Sequence, residues 1–198
     1  MEVQRKMKNN DTFKEYVAPI VVLVAICLVI TAALAATYGV AKPIIDTNAK
    51  KAADEARMEL LSEADGFTAY DGDLFVAEEG KVYTKDCYIA NNGVGAVVTV
   101  STKSFGGELV EMIGLDAEGK ITGVKVTAHA DTPGLGTKAH APAHLEQYKG
   151  KTAEEITTGS AKDEAAIDHV TGASISSNAV HYGVYCAIEQ FKAMGGVK

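Results

Sequence analysis

No charged residue occurs between Tyr16 and Ala41, and a run of that length has few ways to fold in water. It exceeds the roughly 20 apolar residues that an α-helix needs to cross a bilayer. Pro19 stands in what would be the first helical turn, where its missing N–H costs no bond. Tyr16 and Tyr38 bracket the run as interfacial aromatics do. A cleaved signal peptide is the competing reading: Arg5, Lys6, Lys8 and Lys14 form a basic leader, and Ala33-Leu34-Ala35 resembles a cleavage site. The apolar core is longer than the roughly 7–15 residues of such a leader. The expectation is therefore an uncleaved transmembrane helix over 16–41, preceded by a tail over 1–15. Arg5, Lys6, Lys8 and Lys14 on one side balance Lys42, Lys50, Lys51 and Arg57 on the other in number. The denser N-terminal cluster favours a cytoplasmic tail, with the rest of the chain on the extracytoplasmic side of the cell (inner) membrane.

Beyond the apolar run the chain is acidic. Residues 1–38 carry four basic and three acidic groups, which leaves 15 basic and 23 acidic after them. That balance excludes a nucleic-acid partner, which needs a basic footprint, and offers no polybasic stripe for anionic lipid. Ile44 to Leu61 alternates apolar and charged residues at helical spacing, a connecting amphipathic helix assigned to 42–66 and expected to lie on the domain. Over 67–198 the pattern becomes that of one α+β domain. Strand-like runs at Leu74–Ala77, Val82–Ile89, Val94–Ser101, Glu108–Leu115 and Ile121–His129 are separated by glycine turns, with Asp116–Lys120 as a hairpin loop. Helices are expected at Lys138–Tyr148 and at Thr152–Thr157, the second opened by a Thr152…Glu155 capping box. A short strand at Ile167–Val170 and a last helix closed by Gly195-Gly196 complete the domain. The fold class is α+β: one N-terminal transmembrane helix, then a mostly antiparallel sheet flanked by helices. Three cysteines make no disulfide framework. Cys27 reads as a small hydrophobe in the apolar run, and Cys87 and Cys186 as core thiols; a bridge between the last two would require an oxidising compartment.

The most informative turn is Asp168-His169-Val170-Thr171-Gly172-Ala173-Ser174. Ser174, Ser176, Ser177 and Asn178 stand where a helix N-cap belongs, before Val180, Val184, Ile188 and Phe191 at helical spacing. Free N–H groups and the positive end of the helix dipole around the Ser174 hydroxyl favour a phosphate. A second segment, His129-Ala130-Asp131-Thr132-Pro133-Gly134-Leu135-Gly136-Thr137-Lys138, ends a strand at a Pro-Gly turn. Its glycines let backbone approach a flat ligand, and Leu135 is placed to cover a ring face; the bland reading is a tight turn and nothing more.

Together these motifs carry a resemblance. Asp168, two residues, Thr171-Gly172-Ala173 and a hydroxyl residue is similar to the flavinylation signature of FMN-binding proteins. A His, an acidic residue and Thr-Pro-Gly-Leu-Gly is the other family pattern. With Gly106–Lys120, Val124–Val126 and the N-terminal anchor, the chain resembles the FMN-binding G subunit of the Rnf complexes, ion-translocating ferredoxin:NAD oxidoreductases. The corresponding C subunit of the sodium-pumping NADH:quinone reductase is a usually longer relative. The family more often has Thr where Ser174 stands and Glu where Asp131 stands.

The resemblance implies FMN held covalently through its phosphate to Ser174 and attached by a flavin transferase. It implies Thr171, Gly172 and Ala173 as the shaping turn, with Thr171 bonding phosphate or ribityl oxygens, and Asp168 as a residue read by the transferase. Thr132, Gly134, Leu135, Gly136 and Thr137 would wall the isoalloxazine, with Lys138 as a charge nearby. The role implied is an electron carrier within a translocase, not an independent catalyst, working with the membrane and peripheral subunits of the complex. A stand-alone flavinylated reductase domain with an extracytoplasmic acceptor is the alternative. Other chemistries fit less well. A Ser174 hydrolase with His169 or His181 and Asp168 lacks the last glycine of G-x-S-x-G. A zinc site at His129, His140 and His144 has Pro142 between its i,i+4 pair and no Glu of H-E-x-x-H. No metal is expected.

Overall fold

The computed structural model describes residues 16–197, so the basic tail and its cytoplasmic assignment lie outside the described residues. The chain divides into two compact units between Ala52 and Ala53. Helix α1, Ala18–Leu60, is continuous over 43 residues, a length of about 65 Å at 1.5 Å per residue. Its apolar side chains from Ile20 to Ile45 are exposed. In water that would be costly, whereas in lipid it is the ordinary condition of a spanning helix. This helix takes in the apolar run and contains Pro43. Pro43 has no N–H for the carbonyl four residues earlier, and Thr47 Oγ1 donates to the Pro43 carbonyl at 2.7 Å. Only the last turns of α1 are buried in the second unit, through Ala56, Arg57 and Leu60.

Six strands follow: β1 (Phe67–Ala69), β2 (Val76–Glu78), β3 (Val82–Ala90), β4 (Gly95–Ser104), β5 (Gly107–Asp116) and β6 (Ile121–Ala128). They form one antiparallel sheet in the order β1-β3-β4-β5-β6, with β2 also pairing to β3. From β2 to β6 the hairpins pair each strand with its sequence neighbour, while β1 pairs with β3; at Asp116–Lys120, the Asp116 Oδ1 accepts from the N–H groups of Glu118 and Lys120. A four-residue helix α2 (Pro142–Leu145) and the long helix α3 (Ser174–Ala193) complete the order. Helix α3 covers one face of the sheet. Val180, Val184, Ala187, Ile188 and Phe191 pack there against Ala96, Val98 and Val100 of β4 and Leu109, Ile113 and Leu115 of β5. The opposite face packs Val97 and Met112 against Ala56, Leu60 and Leu61, so β4 is buried on both sides over nearly its whole length.

Three expectations fail, each for a local reason. Ile167–Val170 is irregular instead of a strand: Ile167 enters the core while Asp168 bonds through its backbone N–H and C=O to the Gln147 side chain. The helix expected at Lys138–Tyr148 breaks into a 3-10 turn at Gly136–Lys138, α2 and a further turn at Glu146–Tyr148, because Pro142 forces its predecessor out of helical conformation. At Thr152–Thr157 the capping box forms, with Thr152 N–H donating to Glu155 Oε2 at 3.1 Å, but it closes only one turn.

Glu111 of β5 is fully buried among apolar neighbours on the α3 face. Gly183 of α3 makes room for it; a Cβ there would collide with Glu111 Oε1. Neither carboxyl oxygen, nor the Tyr148 hydroxyl, has a hydrogen-bond partner within the described residues. Burial holds the Glu111 carboxyl well above the usual range, which favours its neutral form. Stability from this residue is fully present at acid pH and declines as pH rises above about 4.3, where the unfolded chain ionises. The two core thiols are free, and burial pushes both Cys87 and Cys186 up to about 12.

Candidate functional site

The site is built where three segments meet: the β4–β5 turn, the Asp131–Lys138 loop and the start of α3. Asp131 joins them. Its carboxylate accepts from Ser104 Oγ at 2.5 Å and from the Gly106 N–H at 2.7 Å. It also takes a hydrogen bond from the Ser176 side chain, and His140 Nε2 lies 2.9 Å from Oδ2. Burial alone would raise this carboxyl, but the bonds from Ser104, Gly106 and Ser176 and the nearby His140 outweigh it and hold it below the usual range. Burial, with the tilted His129 ring 4.6 Å away, lowers His140 despite the carboxylate. Sequence reasoning left Asp131 out of the site residues. Its acidic side chain between a histidine and Thr-Pro was the available signal.

Gly136 shows how tightly the loop sits on this hub: a Cβ there would be 2.8 Å from Asp131 Cβ and 3.0 Å from Ser176 Oγ. Gly134 is different. Its φ of +77° is left-handed, and nothing lies within 4 Å of its missing side chain. It is demanded by the turn, not by a close approach. Thr137 Oγ1 accepts from the Gly134 N–H at 2.9 Å and fixes that turn.

Helix α3 starts at Ser174. Its N-cap is Ala173, and no side chain caps it. The four polar residues expected to share the cap therefore separate. Ser174 is exposed, Ser176 and Ser177 are each 1% exposed, Ser177 Oγ accepts from the Val170 N–H, and Asn178 Oδ1 accepts from the Ala161 N–H. Gly172, with φ +82°, turns the chain into the helix. First-turn N–H groups not taken by a capping side chain, beside an exposed hydroxyl, suit a phosphate.

Beside Ser174 lies a cleft of about 300 Å³ lined by Thr132, Leu135, Gly136, Gly172, Ala173 and Ser174, and also by Phe105, Asp131, Ile175 and Ser176. That volume is at the lower end for small-molecule sites. Phe105 is 71% exposed, Ile175 57% and Leu135 48%, so three large apolar side chains rim its mouth, as a flat aromatic ligand requires. Phe105 and Ile175 were not read from the sequence; an aromatic in the tight Ser104–Gly107 turn was the only hint. The remaining candidates, Gly134, Thr137, Lys138, Asp168 and Thr171, do not line the cleft; all are exposed except Thr137, which is half-buried. Of the histidines considered for a hydrolytic triad, His181 is fully buried, and its Nε2 lies 2.9 Å from the Thr158 carbonyl.

These features, an antiparallel sheet with a ligand-sized cleft at an uncapped helix start, are those of a flavin-nucleotide domain. The sequence pattern of the FMN-binding domain family matches residues 105–189. The G subunit of the Na(+)-translocating ferredoxin:NAD(+) oxidoreductase complex of Acetobacterium woodii is 32% identical over 86% of this chain and 89% of its own. The G subunit of the proton-translocating complex of Clostridium ljungdahlii is 28% identical over 87% and 89%. The chain belongs to this family of G subunits of the ion-translocating ferredoxin:NAD+ oxidoreductase (Rnf) complexes. Among solved structures, NqrC of Shewanella oneidensis matches 54% of this chain and 57% of that one, at 22% identity and a TM-score of 0.43.

Proposed function

We propose that this chain is the membrane-anchored flavin subunit of an Rnf-type complex, passing electrons between partner subunits through an FMN tethered to Ser174. The observation that carries the reading is the single exposed hydroxyl of the α3 start, facing an apolar cleft of ligand size. FMN supplies the one- and two-electron chemistry when bound. The chain's own residues attach and orient it. Ser174 Oγ would hold the phosphate as an ester, giving up its proton, with the adduct lighter than FMN plus chain by one water. Leu135 and Phe105, at the cleft, would hold the ring, Gly136 lets the loop close on the Asp131 hub, and Gly172 turns the chain into α3 before the exposed acceptor. Asp168 and Thr171, exposed before the turn, are accessible to a flavin transferase. Family membership supports the other Rnf subunits as partners. The domain boundaries proposed are tail 1–15, membrane span 16–41, connecting segment 42–66 and flavin domain 67–198.

An affinity-tagged chain solubilised from native membranes in mild detergent should bring multi-helix membrane subunits with it and retain visible flavin absorption. Purification as a lone flavoprotein would favour the stand-alone reductase instead. We also place the flavin domain outside the cytoplasm, on the dense N-terminal basic cluster and on the value of a tether where lost FMN is not replaced. Protease added to intact spheroplasts should digest the chain beyond Tyr38. Protection there, with digestion only in inverted vesicles, would reverse the orientation.

A further inference from the structure

A second cleft also includes Ser174, and the charge of its lining differs from that of the first. It is lined by Ser174 and Ile175, shared with the apolar cleft, and by Thr102, Ser160, Lys162 and Asn178, with Val82, Ala179 and Tyr182 beneath. No carboxylate lines it, in a domain that is acidic overall, whereas the apolar cleft holds the buried Asp131 and no basic side chain. Lys103 also borders it, but strand alternation sends that side chain to the opposite face from Thr102, so the cleft's positive charge comes from Lys162.

Several donors converge there. The Asn178 Oδ1 is occupied by the Ala161 N–H at 3.1 Å, which orients the amide's NH2 end away from that bond. The same bond fixes the 3-10 turn Ala161–Asp163 that carries Lys162. Tyr182 packs where Gly159 has no side chain, since a Cβ on Gly159 would lie 2.5 Å from its ring, and this holds the Thr158–Ser160 segment against α3. Thr102 is 1% exposed, and its Oγ1 has no hydrogen-bond partner within the described residues. Lys162 makes no ion pair within the described residues.

We infer that the cleft formed by Lys162, Asn178, Ser160 and the first turn of α3 is a phosphate site that selects phosphorylated flavin and holds its phosphate against Ser174. This rests on the flavin reading above. Charge decides which half of the nucleotide goes where. The dianionic phosphate is repelled by the Asp131 side and attracted to the Lys162 side, and the neutral ring takes the apolar cleft. Both clefts share Ser174, so the split positions the phosphorus beside the acceptor hydroxyl before any ester forms. Lys162 and Asn178 are positioning residues in this scheme.

The test uses the full-length chain in detergent, produced without a flavin transferase so that Ser174 is unmodified. Reversible binding of FMN and of riboflavin is followed by flavin fluorescence at low and high salt. Wild type should prefer FMN, and salt should reduce that preference. Lys162→Gln should lower FMN affinity about fivefold, the scale of one partly exposed ion pair, with riboflavin affinity unchanged. Lys162→Arg should keep the preference. Lys103→Gln, which removes the same charge from the far face, should keep it too. Full FMN preference in Lys162→Gln, or an equal loss of FMN and riboflavin binding, overturns the phosphate site while leaving the ring cleft intact. Equal wild-type affinity for the two flavins does the same. A folded wild-type chain that binds neither flavin overturns the flavin reading itself, and the phosphate site with it.

Discussion

Ser174→Ala should abolish covalent flavin and leave the domain folded. Coexpressed with its flavin transferase, the variant should show no flavin fluorescence in a denaturing gel, where wild type shows a band. Three serines stand close in sequence at this turn, and their surroundings differ. Ser176 and Ser177 are each 1% exposed and engaged, the first with Asp131 and the second with the Val170 N–H. Neither is open to an attaching enzyme. Ser174 is exposed and is not the cap, which is Ala173 with no side-chain bond. No capping interaction is lost with its hydroxyl, so the stability change should stay within about 0.5 kcal/mol, the range of ordinary surface substitutions. Ser174→Thr keeps a hydroxyl at the same place and should retain the adduct. Ser176→Ala and Ser177→Ala should retain it as well, with lower stability, because the first takes one donor from Asp131 and the second leaves the Val170 N–H without its acceptor.

Asp131→Ala should be the most damaging single change in the site. It strips one acceptor from Ser104, the Gly106 N–H, Ser176 and His140 together. Buried donors left without an acceptor cost about 1–3 kcal/mol each, which for a domain of this size lowers the melting temperature by on the order of 10 °C. Flavinylation should fall too, because the β4–β5 turn and the start of α3 lose their common anchor. Asp131→Asn keeps the shape but turns one acceptor into a donor facing other donors, so it should fall between wild type and Ala. The acid limb adds a signature. The Asp131 carboxyl is held below its usual range, so its contribution is present above about pH 4, the unfolded value, and is lost as pH falls through the lower folded value. His140, held low by burial, acts in the same direction below about pH 6.5. The stability gap between wild type and Asp131→Ala should therefore narrow at acid pH. A variant that melts with wild type at neutral pH would contradict the hub.

The parts of this structure legible in the sequence are those set by local periodicity. The charge-free run gives α1, and alternation bounded by glycine turns gives β3 to β6 within a few residues of their ends. The apolar stripe from Val180 to Phe191 gives α3. What was not legible depends on contacts distant in sequence. Ile167–Val170 has the composition of a strand but finds no edge to pair with, and Gln147 takes the backbone of Asp168. Phe105 looks like an ordinary turn residue until the loop after β6 places Leu135 beside it at the cleft. Asp131 looks like a polar turn residue until four groups from three segments converge on it. Even where the motif glycines were recognised, the reasons divide. Gly136 is needed for contact with Asp131 and Ser176, whereas Gly134 is needed for its left-handed backbone.

The central claim is a flavin carried on one residue, and peptide mass spectrometry on the chain from its native host tests it most directly. The peptide containing Ser174 should carry the mass of FMN less one water, with fragment ions placing it on Ser174 and leaving Ser176 and Ser177 unmodified. An unmodified peptide from a preparation whose flavin transferase is present and active, or an adduct on either neighbouring serine, would contradict it.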